Sequence, residues 1–308
     1  MNLRQLEYFV ALAEHGSFTR AAEACHVAQP SLSQQIRGLE AELGGELVAR
    51  QTRGIALTEA GRAFLPEAKD AVNACNRARE AAQRTFQLFP DTVDIATVRT
   101  LAMQVLPQSI ERWYREHPDF RIRLHEFSTA VHVEQAVDGS TRLIGLAPAP
   151  GDWDGPMRRL GWDGLVAILP ADDPLPPGEP VALDDLRELG WVLFERAHGL
   201  RAVIDAACAQ AGFEPRAIAE TGQVETAIRL AASGLGVALA PPHTVPIELR
   251  PAIRPLRNPI VWEVAAYARA PWPAIVDEYL DTFAMGLVAD PPDDALVLQP
   301  SDHPPAAA

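Results

Sequence analysis

The sequence predicts two domains of different class: a small all-α domain closed by a β-hairpin, and a larger α/β domain, joined by one long helix. Apolar residues recur at helical spacing through residues 1–58, and then step by fours and threes through residues 59–89. Across residues 92–290, short apolar runs typical of strands alternate with amphipathic helices, which favours an α/β fold with parallel sheets. Residues 291–308 are rich in Pro, Asp and Ala and are predicted to be disordered.

The composition is that of a globular protein, since 308 residues with 48% hydrophobic content suffice for two or three domains. There is no run of about 18 apolar residues and no signal-peptide pattern at the N-terminus. Three widely spaced cysteines, Cys25, Cys75 and Cys208, fit neither a disulfide framework nor a zinc site, and the eight histidines are scattered. We therefore expect a cytoplasmic chain without a metal, a cofactor or a membrane contact.

The net charge of −14 is distributed unevenly along the chain. Residues 1–62 carry six arginines and seven glutamates, a net charge of −1, so the remaining residues carry −13. Because attraction to phosphate acts within about 8–10 Å in physiological salt, the acidic remainder does not prevent the first domain from binding nucleic acid. It does exclude a protein that binds through bulk positive charge.

Three amphipathic helices are predicted in the first domain. The first ends near Gly16, and Ser17 stands where the N-cap of the second belongs. After a short turn, Pro30 fits the first turn of a third helix. The apolar stripe of that third helix consists of Leu32, Ile36, Leu39 and Leu43.

The opposite face of the third helix carries polar groups, Ser33, Gln34 and Arg37. Hydroxyl, amide and guanidinium groups are suited to hydrogen bonds with base edges in a major groove. A short hairpin follows, with Arg50 and Arg53 flanking its tip, where they could contact phosphates or the minor groove. The whole order is that of a winged helix-turn-helix. The alternative is a three-helix domain whose polar face is only solvated.

Residues 1–66 resemble the LysR-type transcription regulators. The segments that carry the resemblance are Gly16-Ser17-Phe18, Ala21-Ala22, Gln29-Pro30-Ser31-Leu32-Ser33, Ile36, Leu39-Glu40 and Leu57-Thr58-Glu59-Ala60-Gly61. The DNA contacts that the resemblance implies are Gln29, Pro30, Ser31, Ser33, Gln34, Arg37, Arg50 and Arg53. Cys25 and Val48 depart from the leucine and phenylalanine that are usual in the family.

Residues 59–89 are predicted to form a linker helix that begins after a Thr58 cap and is kinked or interrupted at Pro66. Its apolar stripe consists of Phe64, Ala68, Ala71, Cys75, Ala78 and Ala82. This spacing is typical of a coiled-coil seam, so the stripe predicts a dimer, with docking on its own domain as the alternative. The resemblance favours the dimer and, beyond it, a tetramer. A two-fold dimer predicts an interrupted palindromic operator. The Cys75 thiol is expected to be buried and inert, with a bridge between two subunits as the alternative.

The C-terminal domain resembles the effector-binding half of LysR-type regulators, which is similar to periplasmic solute-binding proteins. The resemblance implies two lobes: lobe I comprises about 92–162 and 267–290, and lobe II about 163–266. The chain would cross between them near 161–165 and return near 261–267.

Small ligands bind α/β sheets beyond the carboxyl ends of the strands, often at helix N-termini. The effector residues predicted on this ground are Thr100, Ser128, Thr129, Glu195, His198, Gln223 and Thr226. Hydroxyl and amide groups there suit a small carboxylate, although Glu195, Glu225 and Asp138 could repel an anion or pair with Arg201. The family often has an aspartate within the strand Leu143–Leu146, and this chain has none.

The leading hypothesis is a transcription regulator that is controlled by a small-molecule effector and that contacts DNA, a second copy of itself and RNA polymerase. A regulator that responds to oxidation through Cys208 is an alternative, although helical spacing places Cys208 on a core face and no partner cysteine is near it. A solute-binding or enzymatic α/β protein is a further alternative. No nucleophile elbow, phosphate loop or nucleotide fingerprint supports an enzyme.

Overall fold

The computed structural model describes residues 1–51, 54–85, 92–170 and 179–298. The chain divides into two compact units, Met1–Leu88 and Phe89–Ala308, and each has its own hydrophobic core. The predicted DNA contact Arg53 lies outside the described residues, as do the last ten residues of the predicted tail.

The first unit is a helical domain with a hairpin, as predicted. Its elements are α1 (Leu3–His15), α2 (Phe18–Ala24), α3 (Gln29–Leu43), β1 (Val48–Gln51), β2 (Gly54–Leu57) and α4 (Glu59–Thr85). A capping box begins α1, because the side chain of Asn2 accepts from the N–H of Gln5 and the side chain of Gln5 accepts from the N–H of Asn2. Gly16 and Gly44 end α1 and α3 in the left-handed conformation, with φ of 61° and 77°.

The core of this domain is formed by apolar side chains from α1, α2 and α3. The fully buried residues among them include Phe9, Leu12, Leu32, Ile36 and Leu39. The predicted stripe of α3 is therefore confirmed, except that Leu43 at its end is 44% exposed. Burial of these side chains fixes the orientation of α3 and hence which of its faces meets solvent.

The linker helix α4 is continuous through Pro66, so of the predicted kink or interruption the second does not occur. The first three positions of the predicted seam pack against the helix's own domain. Ala68 is 1% exposed, Ala71 is half-buried, and the rings of Phe64 and Phe9 lie 5.4 Å apart. Cys75, Ala78 and Ala82 are exposed. Within one chain, Ala68 therefore docks on its own domain, which was the alternative for this stripe, and Cys75 is not buried. Pairing of two chains along the stripe stays a prediction.

The second unit alternates strands and helices. Its elements are β3 (Thr92–Val98), α5 (Arg99–Met103), α6 (Val105–Tyr114), β4 (Arg121–Phe127), α7 (Ala130–Asp138), β5 (Leu143–Pro148), β6 (Met157–Ile168), β7 (Trp191–Phe194), α8 (Gly199–Gln210), β8 (Ala217–Thr221), α9 (Val224–Ala232), β9 (Ala238–Ala240), β10 (Ile253–Arg254), β11 (Ile260–Ala268), α10 (Ala274–Ala284) and β12 (Leu296–Val297). Short 3-10 helices cover Leu183–Leu186, Pro242–Thr244 and Ile247–Ala252.

The main sheet has the strand order β10-β6-β11-β5-β3-β4 and is mixed, whereas the sequence predicted parallel sheets. Strand β3 runs parallel to β4 and β5, but β11 runs antiparallel to both β5 and β6. A separate parallel pair, β7 and β8, belongs to lobe II. The antiparallel ribbon of β6 and β11 carries the chain from one lobe to the other and back, which gives the two-lobed α/β fold.

The C-terminal residues 291–298 are ordered, contrary to the predicted disorder. Leu296 and Val297 form β12, which pairs parallel to the start of β11. The side chains of Leu296 and Leu298 pack against the core of the second unit. A strand this short depends on the edge that β11 offers, so its composition alone did not reveal it.

Candidate functional site

The turn between α2 and α3 sets the position of the third helix. His26 takes a positive φ of 54°, and the N–H of Val27 bonds back to Ala22 O at 2.9 Å. Ala28 occupies the N-cap without a side-chain bond, and Pro30 lies in the first turn. The turn thus takes four residues, and the start of α3 lies at the surface.

The exposed face of α3 carries five of the predicted DNA contacts. These are Gln29, Pro30, Ser31, Gln34 and Arg37. The Nε of Arg37 donates to the carbonyl of Ser33 at 3.3 Å, which restrains the guanidinium along the helix surface. Ser33 itself is 5% exposed, so its predicted place on the solvent face is wrong. Successive residues of an α-helix are rotated by about 100°, and Ser33 lies on the boundary of the buried stripe.

The hairpin is held in place by hydrogen bonds that its backbone N–H groups donate to the surrounding helices. Glu40 Oε1 accepts from the N–H groups of Leu47 and Val48 at 2.9 and 3.2 Å. The N–H of Ile55 bonds to Gly16 O at 3.0 Å. Arg50 lies in β1, one residue before the end of that strand. The wing is therefore anchored to α1 and α3 of the same domain.

The first lobe offers two hydroxyl-bearing segments at one edge of its sheet. Val98 pairs with Phe127 in the parallel register of β3 and β4, so the residues that follow both strands emerge at the same carboxyl edge. Thr100 and Thr129 are each 6% exposed, and Ser128 is half-buried. Thr129 also caps α7, since its Oγ1 accepts from the N–H of His132 at 3.2 Å.

The second lobe offers its own carboxyl edge. Phe194 pairs with Thr221 in the parallel register of β7 and β8, so Glu195 and Gln223 follow neighbouring strands. Glu195, Gln223 and Thr226 are exposed, whereas His198 is 7% exposed and caps α8. The structure thus separates the predicted effector residues into two groups. The inner group, near the lobe junction, consists of Thr100, Ser128, Thr129 and His198, and the outer group, on lobe II, consists of Glu195, Gln223 and Thr226.

The two edges meet at one point. The N–H of Gly199, the first residue of α8, donates to Ser128 O at 3.3 Å. A Cβ added at Gly199 would lie 3.4 Å from Ser128 O and 3.5 Å from Thr129 Cα, so the lobes are in contact here. Arg99 of lobe I is close enough for its charge to act on His198 of lobe II. Sequence reasoning missed Arg99, although it follows strand β3 directly, the same signal that selected Thr100.

The imidazole of His198 is neutral at neutral pH. Burial, with the positive charge of Arg99 as the second cause, lowers the pKa of His198 to about 4. Its Nδ1 accepts from the N–H of Leu200 at 3.2 Å, and its ring stacks on Phe194 with centroids 4.5 Å apart. Arg99 is exposed and has no ion pair among the residues the structure describes, so its charge, which acts on His198, is not balanced by a carboxylate there.

Acidification is expected to destabilise the second unit through His198. Between about pH 6.5 and about pH 4 the unfolded chain binds a proton that the folded chain does not, so the free energy of unfolding falls as pH falls, by up to about 3 kcal/mol. A His198→Asn variant keeps an N-cap side chain but removes this titration. Urea unfolding of both proteins across this range should show a shallower pH dependence for His198→Asn. Equal slopes would contradict the assignment.

Two of the acidic residues that could have paired with Arg201, Glu225 and Asp138, pair elsewhere. Arg201 donates to Asp205, to Glu220 and to the carbonyl of Phe194. Glu225 pairs with Arg229, and Asp138 pairs with Arg269. Arg201 is thus committed to lobe II.

The cysteines are far from equivalent. Cys208 is fully buried in α8, on the core face that helical spacing predicted, and burial raises the pKa of its thiol to about 12. Burial, helped by the charge of Glu7, also raises the pKa of the partly buried Cys25 thiol.

Within the described ranges, no three His, Cys, Asp or Glu side chains are grouped as metal ligands, and no helix is long and apolar enough to cross a membrane.

Comparison with protein families gives a match in each unit. Residues 3–62 match the bacterial regulatory helix-turn-helix family of lysR type, and residues 87–273 match the LysR substrate binding domain. The two matches together cover the winged domain and most of the two-lobed domain.

Individual relatives agree with the family matches. The hydrogen peroxide-inducible genes activator of Pectobacterium carotovorum subsp. carotovorum is 34% identical over 80% of this chain and 82% of its own length. The HTH-type transcriptional regulator ShiR of Corynebacterium glutamicum (strain R) is 32% identical over 92% of this chain and 99% of its own. The solved structure of full-length BenM superposes with a TM-score of 0.51 at 26% identity, covering 95% of this chain and 100% of that one. The chain belongs to the LysR family and is a DNA-binding transcription regulator with a two-lobed substrate-binding domain.

Proposed function

We propose that this regulator reads an interrupted palindromic operator as a symmetric dimer. Each half-site would be contacted by Gln29, Ser31, Gln34 and Arg37. The flanking DNA backbone or minor groove would be contacted by Arg50 and Arg53. The support is the exposed polar face of α3 on a helix whose opposite face is buried. Because the domain is close to neutral, affinity would depend on a few placed arginines and on two-fold symmetry.

The dimer contact is proposed for the second half of α4. Cys75, Ala78 and Ala82 are exposed there, whereas the earlier seam positions are buried or half-buried against the first unit's own core. Small side chains let two identical helices approach closely, which supports pairing along this half. Pairing of dimers into a tetramer, contact with RNA polymerase and a location in the cytoplasm with the chromosome belong to the same proposal.

The effector is proposed to be a small carboxylate that binds where the lobes meet. The observation that supports this proposal is the contact between the backbones of Ser128 and Gly199. The charge of Arg99 and the hydroxyl group of the buried Thr100 belong to the same junction. A carboxylate could accept from hydroxyl groups and from the N-terminus of α8 while Arg99 balances its charge. Its binding would change the angle between lobes, and α4 would transmit that change to the DNA-binding domains.

Thermal shift with benzoate, succinate and 2-oxoglutarate, each beside its methyl ester, tests the effector proposal on the full-length protein. We expect at least one acid, but not its ester, to raise the melting temperature. Arg99→Gln should weaken that acid about tenfold in calorimetric titration, because a charge-assisted hydrogen bond contributes roughly 1.5–3 kcal/mol. Arg115→Gln changes another exposed arginine of lobe I, one that pairs with Glu111, and is the control. Equal weakening of acid binding in Arg99→Gln and Arg115→Gln would refute the proposal that the effector is a carboxylate. Equal binding of an acid and its ester would refute it too.

Regulation by oxidation is the second candidate, because the relative from Pectobacterium carotovorum is named as a hydrogen peroxide-inducible genes activator. The geometry disfavours it. Thiolates are the reactive form of cysteine, and the Cys208 thiol is buried with a raised pKa. The other two cysteines belong to the first unit. If Cys208→Ser abolishes a peroxide response of the target promoter, the oxidation candidate is right. Retention of the full response eliminates it.

A further inference from the structure

The connection between the lobes is a narrow antiparallel ribbon with a bulge. Strands β6 and β11 pair from Leu165 and Ile260 to Met157 and Tyr267, and their register shifts after Val264. Gly161 lies at this shift with a φ of 150°, a conformation that side-chain-bearing residues rarely adopt. A bulge of this kind bends and twists a strand, so this is where the ribbon departs from regular geometry.

The C-terminal segment Leu287–Leu298, which we call the strap, contacts both edges of this ribbon. Trp162 and Val288 exchange two backbone hydrogen bonds, of 2.7 and 3.0 Å. The N–H and C=O of one strand residue point to the same side, so these bonds lie on the edge of β6 that faces away from β11. A Cβ at Gly161 would come within 2.8 Å of Val288 O, which shows how closely the strap approaches.

On the opposite edge, the strap pairs with β11. The N–H of Leu296 donates to Pro259 O at 2.7 Å, and the N–H of Leu298 donates to Val261 O at 2.9 Å. Leu287, Leu296 and Leu298 are half-buried against the core, which anchors both ends of the strap. One continuous segment therefore brackets the ribbon on both sides.

We propose that the strap braces the ribbon between the lobes and thereby holds the contact of Gly199 with Ser128. Bending of the ribbon would have to stretch or break the strap's backbone bonds, so those bonds oppose separation of the lobes. The consequence for regulation rests on the proposed effector role of the lobe junction, but the brace itself does not. Loosening the strap would favour the separated arrangement of the lobes.

Hydrogen–deuterium exchange of the full-length protein, without any ligand, tests the brace through the Gly199 amide. Leu298→Pro removes a bonded N–H, whereas Val297→Pro removes one that strand alternation points away from β11. Leu298→Ala keeps the N–H and removes the side chain. Val288→Pro disrupts the other edge independently. The amides of β7 report whether each variant remains folded.

We expect Leu298→Pro and Val288→Pro each to speed exchange of the Gly199 peptide about tenfold, the effect of losing roughly one hydrogen bond. Val297→Pro should exchange as the parent does, and Leu298→Ala should lie nearer to the parent than Leu298→Pro. Unchanged Gly199 exchange in both Leu298→Pro and Val288→Pro overturns the proposal, as does equal acceleration in Val297→Pro. Because no effector is added, the result of this exchange experiment does not depend on the result of the carboxylate screen.

Discussion

Loss of about 1–3 kcal/mol of operator binding per half-site is the expected result of Arg37→Ala at physiological salt. The side chain is exposed on α3, and its bond to the carbonyl of Ser33 holds the guanidinium close to the helix. A guanidinium that meets a guanine edge makes two hydrogen bonds, and a symmetric dimer would lose both sets at once. Fluorescence anisotropy with a labelled promoter fragment from the adjacent intergenic region measures this loss.

A matched variant distinguishes a specific contact of Arg37 with DNA from the effect of the domain's overall charge. Arg4→Ala removes the same charge from the same domain, but from the exposed surface of α1. It should change affinity by much less and reduce the salt dependence only slightly. If Arg37→Ala binds the operator as tightly as the parent, the assignment of α3 as the reading helix is wrong. If Arg4→Ala weakens binding equally, affinity comes from overall charge. Arg53→Ala tests the wing by the same measurement.

Gly61→Ala is expected to destabilise the first unit by about 3 kcal/mol, a value at the upper end for overpacking. A Cβ at this position in the first turn of α4 would lie 2.0 Å from the carbonyl oxygen of Leu47. Backbone contacts leave little room for adjustment, because the N–H of Gly61 bonds to Thr58 Oγ1 and the N–H of Thr58 bonds to Leu47 O. Scanning calorimetry of the full-length protein measures the shift of the first unit's transition.

Gly45→Ala is the control for this variant, because a Cβ there meets nothing within 4 Å. Its transition should stay close to that of the parent. DNA binding of Gly61→Ala should fall in parallel with the folded fraction of the first unit, since the glycine contacts the start of the hairpin and not the reading face. A Gly61→Ala protein as stable as the parent would show that the loop before β1 can move away freely.

The helices of the first domain were predictable because their signals are local. The stripe of α3, the Pro30 start and the hairpin follow from spacing within a few residues, and burial of Leu32, Ile36 and Leu39 agrees with that spacing. Ser33 was misplaced because its angular position lies between the two faces, so its burial depends on how closely the neighbouring helix approaches. Periodicity gives a direction for each side chain but not the depth of its surroundings.

The predicted effector residues show a similar division. Positions after strands could be selected from the sequence, since parallel strands end at one edge. Which of them would meet was not predictable, because contact between Gly199 and Ser128 joins residues separated by most of one lobe. Likewise, Arg99 belongs to lobe I and His198 to lobe II, so their interaction depends on how the two lobes meet.

By itself, the sequence determined the two domain classes, the family and the apolar face of each helix, since those depend on local spacing and residue type. The tertiary structure alone decided what covers each face. The stripe of α4 keeps one spacing throughout, yet Ala68 is buried in the core of its own unit and Ala78 is exposed. Residues 291–298 of the strap have the composition of a disordered tail, yet they are ordered because the edge of β11 offers them unpaired backbone groups. Burial and strand pairing depend on partners distant in the chain, and no local pattern contains them.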